Sequence, residues 1–468
     1  MKPYLWYTTA MKNYLLLLTV AAMSASWGET QTVSPVEGDA TPAVQGAIDR
    51  AFAAGGGTVR LAGGDYAVKG LRLRSRVTLL LSAGARLHGS RDPEDYFAHE
   101  RDALEPVPAA HLRHDGWTKA DSDVADKVTR YPGSRWNNGL IRLLGATDAA
   151  IVGEPGCEID GRNPFDDKGE EGYRGPHGIS AIGCTNLTLR GYVIRDTGNW
   201  AHRIADSQNV RVENVTCLAG HDGVHFNGCD DVSVLNCTFK TGDDCIAGFD
   251  NRRFVVRDCF INTACSGFRF AGTDVLIERC TLRGPGEYGF RGAMSREDKM
   301  ANAPSGKAKR NNMLSFFTYY ADGTHPIREN AGRIVIRDST SHGTDRLLHY
   351  NYGNERWQRG RPMTDITFER VTATGIKLPV SAWGDAAVPL ALTFRDCRVG
   401  FDVPPAEFIR GAYVGSLTLE NVSVEGVKGP MLRLWHAAEK TPALTLKNVT
   451  GLPTEVVPSD APWKVRGI

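Results

Sequence analysis

The sequence lacks the features that mark several large classes of protein. Its 55 Lys and Arg nearly balance its 54 Asp and Glu, and a net charge of +1 over 468 residues provides no overall basic surface for nucleic acid or an anionic membrane. No apolar run is long enough for a membrane-spanning helix. Phosphate-cradling glycine loops and nucleic-acid-binding motifs are also missing. We therefore expect no organic cofactor and no nucleic-acid partner.

Ten cysteines are present, but none has the CxxC spacing of a metal site, so we expect no structural zinc or other metal. Cys217, Cys237, Cys259 and Cys280 instead recur at nearly equal spacing, and each lies next to a short apolar strand. This spacing favours a ladder of buried thiols that stack in one core, with one disulfide among neighbours as the alternative.

The longest apolar stretch lies near the start of the chain, at residues 14–22. It follows Lys12 and precedes small residues between Ser24 and Gly28, and this order is typical of a secretory signal. We expect residues 1–28 to be removed, with Met11 as a second candidate for the start. Residues 29–468 would then form a secreted or periplasmic catalytic domain with no further membrane contact. An uncleaved anchor or a buried helix is the alternative.

Glycine is abundant, with 51 residues, and the chain is built on a repeat. Short strands that alternate apolar and polar residues recur with a nearly constant period, and further copies follow at wider intervals. Their first apolar residues are Leu187, Val210, Val232, Phe254, Val275, Ile334, Ile366, Leu392, Leu417 and Leu444. No helical pattern lies between the strands, which excludes βαβ architectures. The sequence predicts an all-β fold, a single-stranded parallel β-helix of about ten coils in one domain.

One helix is predicted before the coils, over residues 41–54. Its small and apolar residues recur with a helical period, which predicts an amphipathic helix that caps the open N-terminal end of the β-helix. The residues on this face are Ala43, Val44, Ala47, Ile48 and Ala51.

Two intervals of the repeat are much longer than one coil, the first from Val275 to Ile334 and the second from Ile334 to Ile366. They predict loops that leave the coils and wall a groove. From Arg252 to Arg361 there are 19 Lys and Arg against 11 Asp and Glu. This local excess suits an anionic ligand, and a solvated loop surface is the alternative.

Three aspartates stand at the repeat distance. Asp222 lies ten residues before Val232 and Asp244 lies ten before Phe254, with Asp243 beside it. The two therefore occupy the same position on adjacent coils, ~4.8 Å apart. Carboxylates at such a short distance cannot all ionise at their ordinary pKa, so the pKa of at least one of them should rise toward neutrality. An acid and a base in one site is what glycoside hydrolysis requires. Turn-forming aspartates are the alternative.

Around these residues the sequence resembles the polygalacturonase-like enzymes of glycoside hydrolase family 28. The family pattern of Asn-Thr-Asp-Gly followed by Gly/Gln-Asp-Asp-Cys is matched by residues 220–223 and 242–245, and the resemblance covers roughly residues 38 to 450. It implies a right-handed parallel β-helix and hydrolysis with inversion at the anomeric carbon. By position, Asp243 would be the general acid, while Asp222 and Asp244 would hold and activate the water.

Two departures from the family leave galacturonan specificity open. The family's Gly-His-Gly falls on Cys265-Ser266-Gly267, so its histidine is missing. Its Arg-x-Lys falls on residues 291–293, where Arg291 is kept and the lysine is lost. Arg269, one coil after the acid pair, is a candidate replacement cation, because guanidinium pairs bidentately with carboxylate. A salt-bridged surface arginine is the alternative.

Other candidate sugar-binding residues are His221 and His225 beside the acids and Trp357 in the long-loop region. The histidines could tune the acids or bind sugar, or serve only in turns. Trp357 is a candidate stacking platform, with packing in the core as the alternative.

The predicted function is therefore that of a monomeric, secreted glycoside hydrolase acting on a pectic or other acidic polysaccharide or oligosaccharide that contains uronate. One alternative is a polysaccharide lyase on the same fold, with calcium on the aspartates or Arg269 as the base. The other is a non-catalytic carbohydrate-binding or adhesion β-helix.

Overall fold

The computed structural model describes residues 28–96, 135–165, 174–300, 310–323, 327–353, 357–436 and 442–459. The predicted secretory signal lies outside these ranges, except for Gly28. Within them, no helix combines the length and the apolar character needed to cross a bilayer.

The sequence repeat corresponds to one column of side chains in the structure. Its ten apolar residues lie in register with one another on successive parallel strands. Nine of them are buried, while Leu444 is 40% exposed. Leu444 belongs to the last described coil, and no described coil follows to cover it. The predicted parallel β-helix is therefore confirmed, and each coil buries its apolar side chains against its neighbours.

The described residues form 36 strands, numbered β1 to β36 in chain order, in three parallel sheets along the β-helix. Sheet A contains β4 (Leu71–Arg72), β7 (Gly139–Leu144), β10 (His177–Ile182), β13 (His202–Ala205), β16 (Val224–Asn227), β19 (Ile246–Arg257), β21 (Ser266–Glu278), β23 (Ser315–Tyr319), β26 (Leu348–Asn351), β29 (Val380–Trp383), β32 (Ile409–Ala412), β34 (Leu432–Trp435) and β36 (Val456–Pro458).

Sheet B contains β1 (Thr30–Val33), β2 (Gly57–Leu61), β5 (Val77–Leu81), β8 (Ala150–Gly153), β11 (Thr185–Arg190), β14 (Gln208–Glu213), β17 (Asp230–Leu235), β24 (Gly332–Arg337), β27 (Asp365–Glu369), β30 (Leu390–Arg395), β33 (Val414–Glu425) and β35 (Ala443–Thr450), with the second halves of β19 and β21. Sheet C contains β3 (Gly64–Val68), β6 (Ala85–Gly89), β9 (Glu158–Asp160), β12 (Val193–Arg195), β15 (Thr216–Leu218), β18 (Thr238–Thr241), β20 (Phe260–Thr263), β22 (Thr281–Arg283), β25 (Thr340–His342), β28 (Thr372–Ile376) and β31 (Arg398–Phe401), with the second half of β33. Each coil passes through sheets B, C and A in turn.

The turn from sheet B to sheet C explains the polar residue that recurs after each strand. In many coils one residue there adopts the left-handed conformation, which Asn and Asp tolerate better than most residues. In the last coils these side chains also stack: Asn448 Nδ2 donates to Asn421 Oδ1 at 2.8 Å, and Asn421 Nδ2 donates to Asp396 Oδ1 at 2.7 Å. The repeated Asn therefore serves both the turn and the contact between coils.

The predicted capping helix is present as α1 (Thr41–Ala53), one residue shorter than expected. It buries Val44, Ala47, Ile48 and Ala51 and packs against β1, β2, β4 and β5 at the N-terminal end of the coils. A second, short helix, α2 (Arg296–Met300), lies in the long interval between β22 and β23, and a single 3-10 turn, residues 291–293, precedes it.

All ten cysteines are buried free thiols, so no disulfide joins the neighbouring members. Cys237, Cys259 and Cys280 stack in register on three successive coils. Cys217 lies opposite Phe239 instead, so the prediction that it belongs to the same ladder is wrong. The reason is that Cys237 follows Cys217 two residues sooner than a full coil requires, so Cys237 lies just before β18, two positions before the partner of Cys217.

The left-handed turns give a test of the coil geometry. Asn236 is exposed, with φ of 53°. Asn236→Val should lower the free energy of unfolding by about 1–2 kcal/mol, because a β-branched residue is strained in this conformation. Asn236→Gly should stay within about 0.5 kcal/mol of wild type, since glycine adopts positive φ without a steric penalty. Urea unfolding measures both variants, and equal losses would contradict the assigned turn.

Candidate active site

Two columns of outward-facing positions on sheet A bring the candidate residues together. The corner column lies where each coil turns from sheet C into sheet A, and it contains Trp200, Asp222, Asp244 and Ser266. The strand column lies three residues later, and it contains Arg203, His225, Ala247, Arg269 and Thr318. Residues in one column are ~4.8 Å apart from coil to coil.

The three aspartates converge at the turns that precede β16 and β19. The N–H of Gly223 donates to the carbonyl of Asp244 at 3.0 Å, which sets Asp222 and Asp244 side by side. Asp243 is fixed by its own backbone: its carbonyl accepts hydrogen bonds from the hydroxyls of Thr241 and Thr263, and its Oδ1 accepts one from the N–H of Asp244 at 3.1 Å.

Gly242 allows this turn to pass close to its neighbours. A Cβ at Gly242 would lie 2.7 Å from the carbonyl oxygens of both Gly220 and Gly289. Only glycine therefore lets Asp243 approach the preceding coil and the segment that leads to Arg291.

Burial and mutual repulsion shift the aspartate pKa values. Asp222, Asp243 and Asp244 are only 4%, 8% and 2% exposed. Burial raises the pKa of Asp222 well above its ordinary value, and the charges of Asp243 and Asp244 raise it further. Burial also raises the pKa of Asp244 to about 6, although the guanidinium of Arg269 opposes this rise. The cluster therefore holds protons that exposed carboxylates would lose in mildly acidic solution.

Two arginines face the cluster. Arg269 Nη1 lies 3.4 Å from Asp244 Oδ2, and its guanidinium carbon lies 4.8 Å from the centre of the Tyr320 ring. Arg174 Nη1 lies 3.9 Å from Asp243 Oδ2 and 3.4 Å from Nδ1 of His221. Sequence reasoning missed Arg174, which belongs to no motif and reaches the site from the segment before β10.

Arg291 is not placed as a residue that binds an exposed ligand would be. It is 2% exposed, and its Nη1 lies 3.3 Å from the carbonyl oxygens of both Thr197 and Gly198. These carbonyls belong to the turn that precedes β13. In this structure Arg291 therefore ties the long interval after β22 to the wall of the site.

Both candidate histidines are buried beside the acids. Burial lowers the pKa of His221 well below its ordinary value, and the charges of Arg174 and Arg291 lower it further. Burial likewise lowers the pKa of His225, with Arg203 and Arg269 adding to the effect. Nδ1 of His225 lies 2.7 Å from Asp222 Oδ2.

Aromatic rings surround the cluster. The ring of Trp200 stacks on the imidazole of His225, with centroids 3.7 Å apart and planes 5° from parallel. The ring of Tyr320 meets the same imidazole edge-on at 5.8 Å. Trp357 is half-buried, and its ring lies 6.1 Å from that of Tyr320. Trp357 therefore packs beside Tyr320, whose ring also lies under the guanidinium of Arg269.

One group of side chains has the composition of a metal site. Carboxylate oxygens of Asp243 and Asp244 and the sulfur of Cys265 lie within 4.8 Å of one another. Burial raises the pKa of the Cys265 thiol, and Arg310 Nη2 lies 3.0 Å from its sulfur. Arg174, Arg269 and Arg310 thus already place positive charge beside all three groups.

The raised pKa of Asp244 predicts how stability depends on pH. A carboxyl whose folded-state pKa is about 6 costs stability as the pH rises from its unfolded value of 3.8 through 6, because the folded state must release the proton from a buried group. Asp244→Asn should therefore increase the free energy of unfolding at pH 8 by about 3 kcal/mol. The gain should vanish near pH 4, and urea unfolding at both pH values measures it. A gain that does not depend on pH would contradict the assignment.

Comparisons with known proteins agree with this architecture. A family model described as a right handed beta helix region matches residues 177–298. A polygalacturonase of Brassica napus is 21% identical over 212 residues, which cover 38% of this chain and 53% of the relative. The chain thus spans about half the length of that relative.

Solved structures show the same fold over most of the chain. A family 28 exopolygalacturonase of Yersinia enterocolitica superposes with a TM-score of 0.58 at 18% identity, covering 91% of this chain and 79% of its own. A hyperthermoactive exopolygalacturonase of Thermotoga maritima gives a TM-score of 0.58 at 14% identity, with 85% and 92% covered. The right-handed parallel β-helix expected from the sequence is confirmed, and so is the resemblance to polygalacturonases expected from the aspartate motifs.

Proposed function

We propose that this protein is a glycoside hydrolase that cleaves an acidic, uronate-containing polysaccharide or oligosaccharide with inversion. The observation that carries the proposal is the convergence of Asp222, Asp243 and Asp244 from adjacent coils in a buried, arginine-lined site. The similarity to polygalacturonases supports it.

The three carboxyl groups supply both functions that hydrolysis needs. One must give a proton to the leaving oxygen, while another, ionised, activates the water that attacks from the opposite face of the sugar. In our proposal Asp243 gives the proton, as the resemblance implies, and Asp222 and Asp244 hold the water. Because the groups are close and coupled, they titrate as a unit, and the raised pKa values of Asp222 and Asp244 belong to this unit.

The arginines favour an acidic substrate. Arg174 and Arg269 each lie within 4 Å of an aspartate, and they approach the cluster through different aspartates. The Arg269 side chain is 32% exposed, so solvent reaches it beside Asp244. A uronate carboxylate could pair with it bidentately. These two cations would serve where the family's lysine is missing.

We also propose that the enzyme acts outside the cytoplasm, because a polymeric substrate must be cleaved where it occurs. The apolar segment at residues 14–22 supports this proposal as a secretory signal.

Release of reducing ends from pectic, rhamnogalacturonan and neutral polysaccharides tests the reaction. Asp243→Asn should lower kcat by about 10²–10⁴-fold on the responding polymer, because the isosteric amide cannot donate the proton. Asp402→Asn, at an exposed aspartate away from the site, is the matched control and should retain activity. An unsaturated, ultraviolet-absorbing product would instead indicate a lyase. A folded wild type that cleaves none of the polymers would contradict the proposal.

Arg269→Gln tests the preference for a free carboxylate. On the de-esterified polymer kcat/KM should fall by about 10–100-fold, the value of one charge-assisted hydrogen bond, and on its methyl ester by less than about threefold. The pKa of Asp244 should also rise above about 6, since the guanidinium holds it down. Arg398→Gln removes a comparable arginine, paired with Glu425 at 2.9 Å on sheet C, and serves as the control. Equal losses on both polymers would show that Arg269 does not recognise the carboxylate.

A further inference from the structure

His225 is held in one orientation by three contacts. Its Nδ1 lies 2.7 Å from Asp222 Oδ2, one ring face stacks on Trp200 at 3.7 Å, and the edge of Tyr320 lies 5.8 Å away. Trp200 occupies the corner column one coil before Asp222, while His225 occupies the strand column of the coil of Asp222. The register of the coils therefore builds the stack.

This arrangement does not suit a sugar ligand. His225 is only 4% exposed, and the indole of Trp200 covers one of its ring faces. Trp200 is itself 8% exposed, so it is not an open stacking platform either. The contacts of His225 are directed at Asp222 and at the wall of the site.

The bond to His225 orients the Asp222 carboxyl. Among the described residues, His225 is the one side chain that hydrogen-bonds Asp222, and it engages Oδ2. Oδ1 is therefore the oxygen left to accept a hydrogen bond from water. A hydrogen-bonded partner that fixes a reacting group is worth much to the rate, because small misplacements of that group reduce catalysis.

The surroundings of His225 and Asp222 determine the protonation of the pair. Burial lowers the pKa of His225, so the neutral imidazole can donate its one N–H from Nδ1 to Asp222 Oδ2, and this bond favours the ionised carboxylate against the burial that raises the pKa of Asp222. The titratable and charged groups that face the pair from neighbouring coils and loops are Arg174, His177, Arg203, Asp243, Asp244, Arg269 and Tyr320.

We propose that His225 is a positioning residue that holds Asp222 with Oδ1 toward the attacking water, while Trp200 fixes the plane of the imidazole. The proposal rests on the hydrolase function proposed above. The histidine beside the acids would then lie on the coil of Asp222, whereas the family's histidine lies on the coil after the aspartate pair.

Two substitutions separate the hydrogen bond from the ring. His225→Phe keeps a ring for Trp200 to stack on but removes Nδ1. His225→Asn removes the ring but can place an amide N–H near the Nδ1 position. His349→Phe is the matched control, because His349 occupies the strand column four coils later and pairs there with Arg346 at 2.9 Å.

His225→Phe should lower kcat by about 10–100-fold and change KM by less than about threefold. The acidic limb of the pH profile of kcat/KM should move to higher pH by about one unit, because a buried Asp222 that lacks the hydrogen bond from His225 ionises at higher pH. His225→Asn should restore the limb to its wild-type position and recover at least about tenfold of the lost kcat. His349→Phe should behave as wild type. A histidine that serves packing alone would change the folded fraction without moving the limb.

An unchanged kcat and pH profile in His225→Phe, or an Asn variant no better than Phe, would overturn the proposal. Nitrogen-15 NMR of histidine-labelled protein gives a readout that needs neither substrate nor a folded Phe variant. The wild type should show a hydrogen-bonded imidazole resonance that is missing from His225→Asn and shifted in Asp222→Asn. Its absence from the wild type would refute the pair. An inactive wild type that shows the resonance would refute the hydrolase function alone.

Discussion

The register between parallel coils is the constraint on which the rest of the structure depends. Around the site each residue pairs with the residue one full coil later, as His225 pairs with Ala247 and Ala247 with Arg269. A constant separation in sequence thus becomes one step along the β-helix, and the hydrogen bonds between coils fix which side chains are neighbours. The apolar column of sheet B, the thiol ladder and the two columns of sheet A all follow from this single relation.

The same register gives the candidate site its chemistry. Asp222 and Asp244 cannot move apart without breaking the ladder between β16 and β19. Burial in this fixed arrangement raises the pKa of both groups, and the charge of Asp243 adds to each rise. The fold thus holds the charged side chains in an arrangement that they would avoid in solution. Stability lost there is the expected cost of a functional site.

Much of this could be read from the sequence, because periodicity alone determines it. The ten apolar residues and the capping helix lie where the pattern predicts, and Asp222 faces Asp244 because both precede a strand by the same number of residues. Cys217 shows the limit, since similar spacing without equal spacing changes the register. Arg174 could not be predicted, because it reaches Asp243 from a segment outside the repeat. The stack of Trp200 on His225 depends on the directions of two side chains, which the periodicity does not specify.

The central claim is that three carboxyl groups on adjacent coils catalyse a single displacement by water. Proton NMR of the first product formed during cleavage of the responding polysaccharide tests it most directly. The account predicts that the new reducing end appears first as the anomer opposite to the linkage that was cleaved, and only later equilibrates. Release of the anomer with retained configuration, or of an unsaturated sugar, would contradict it.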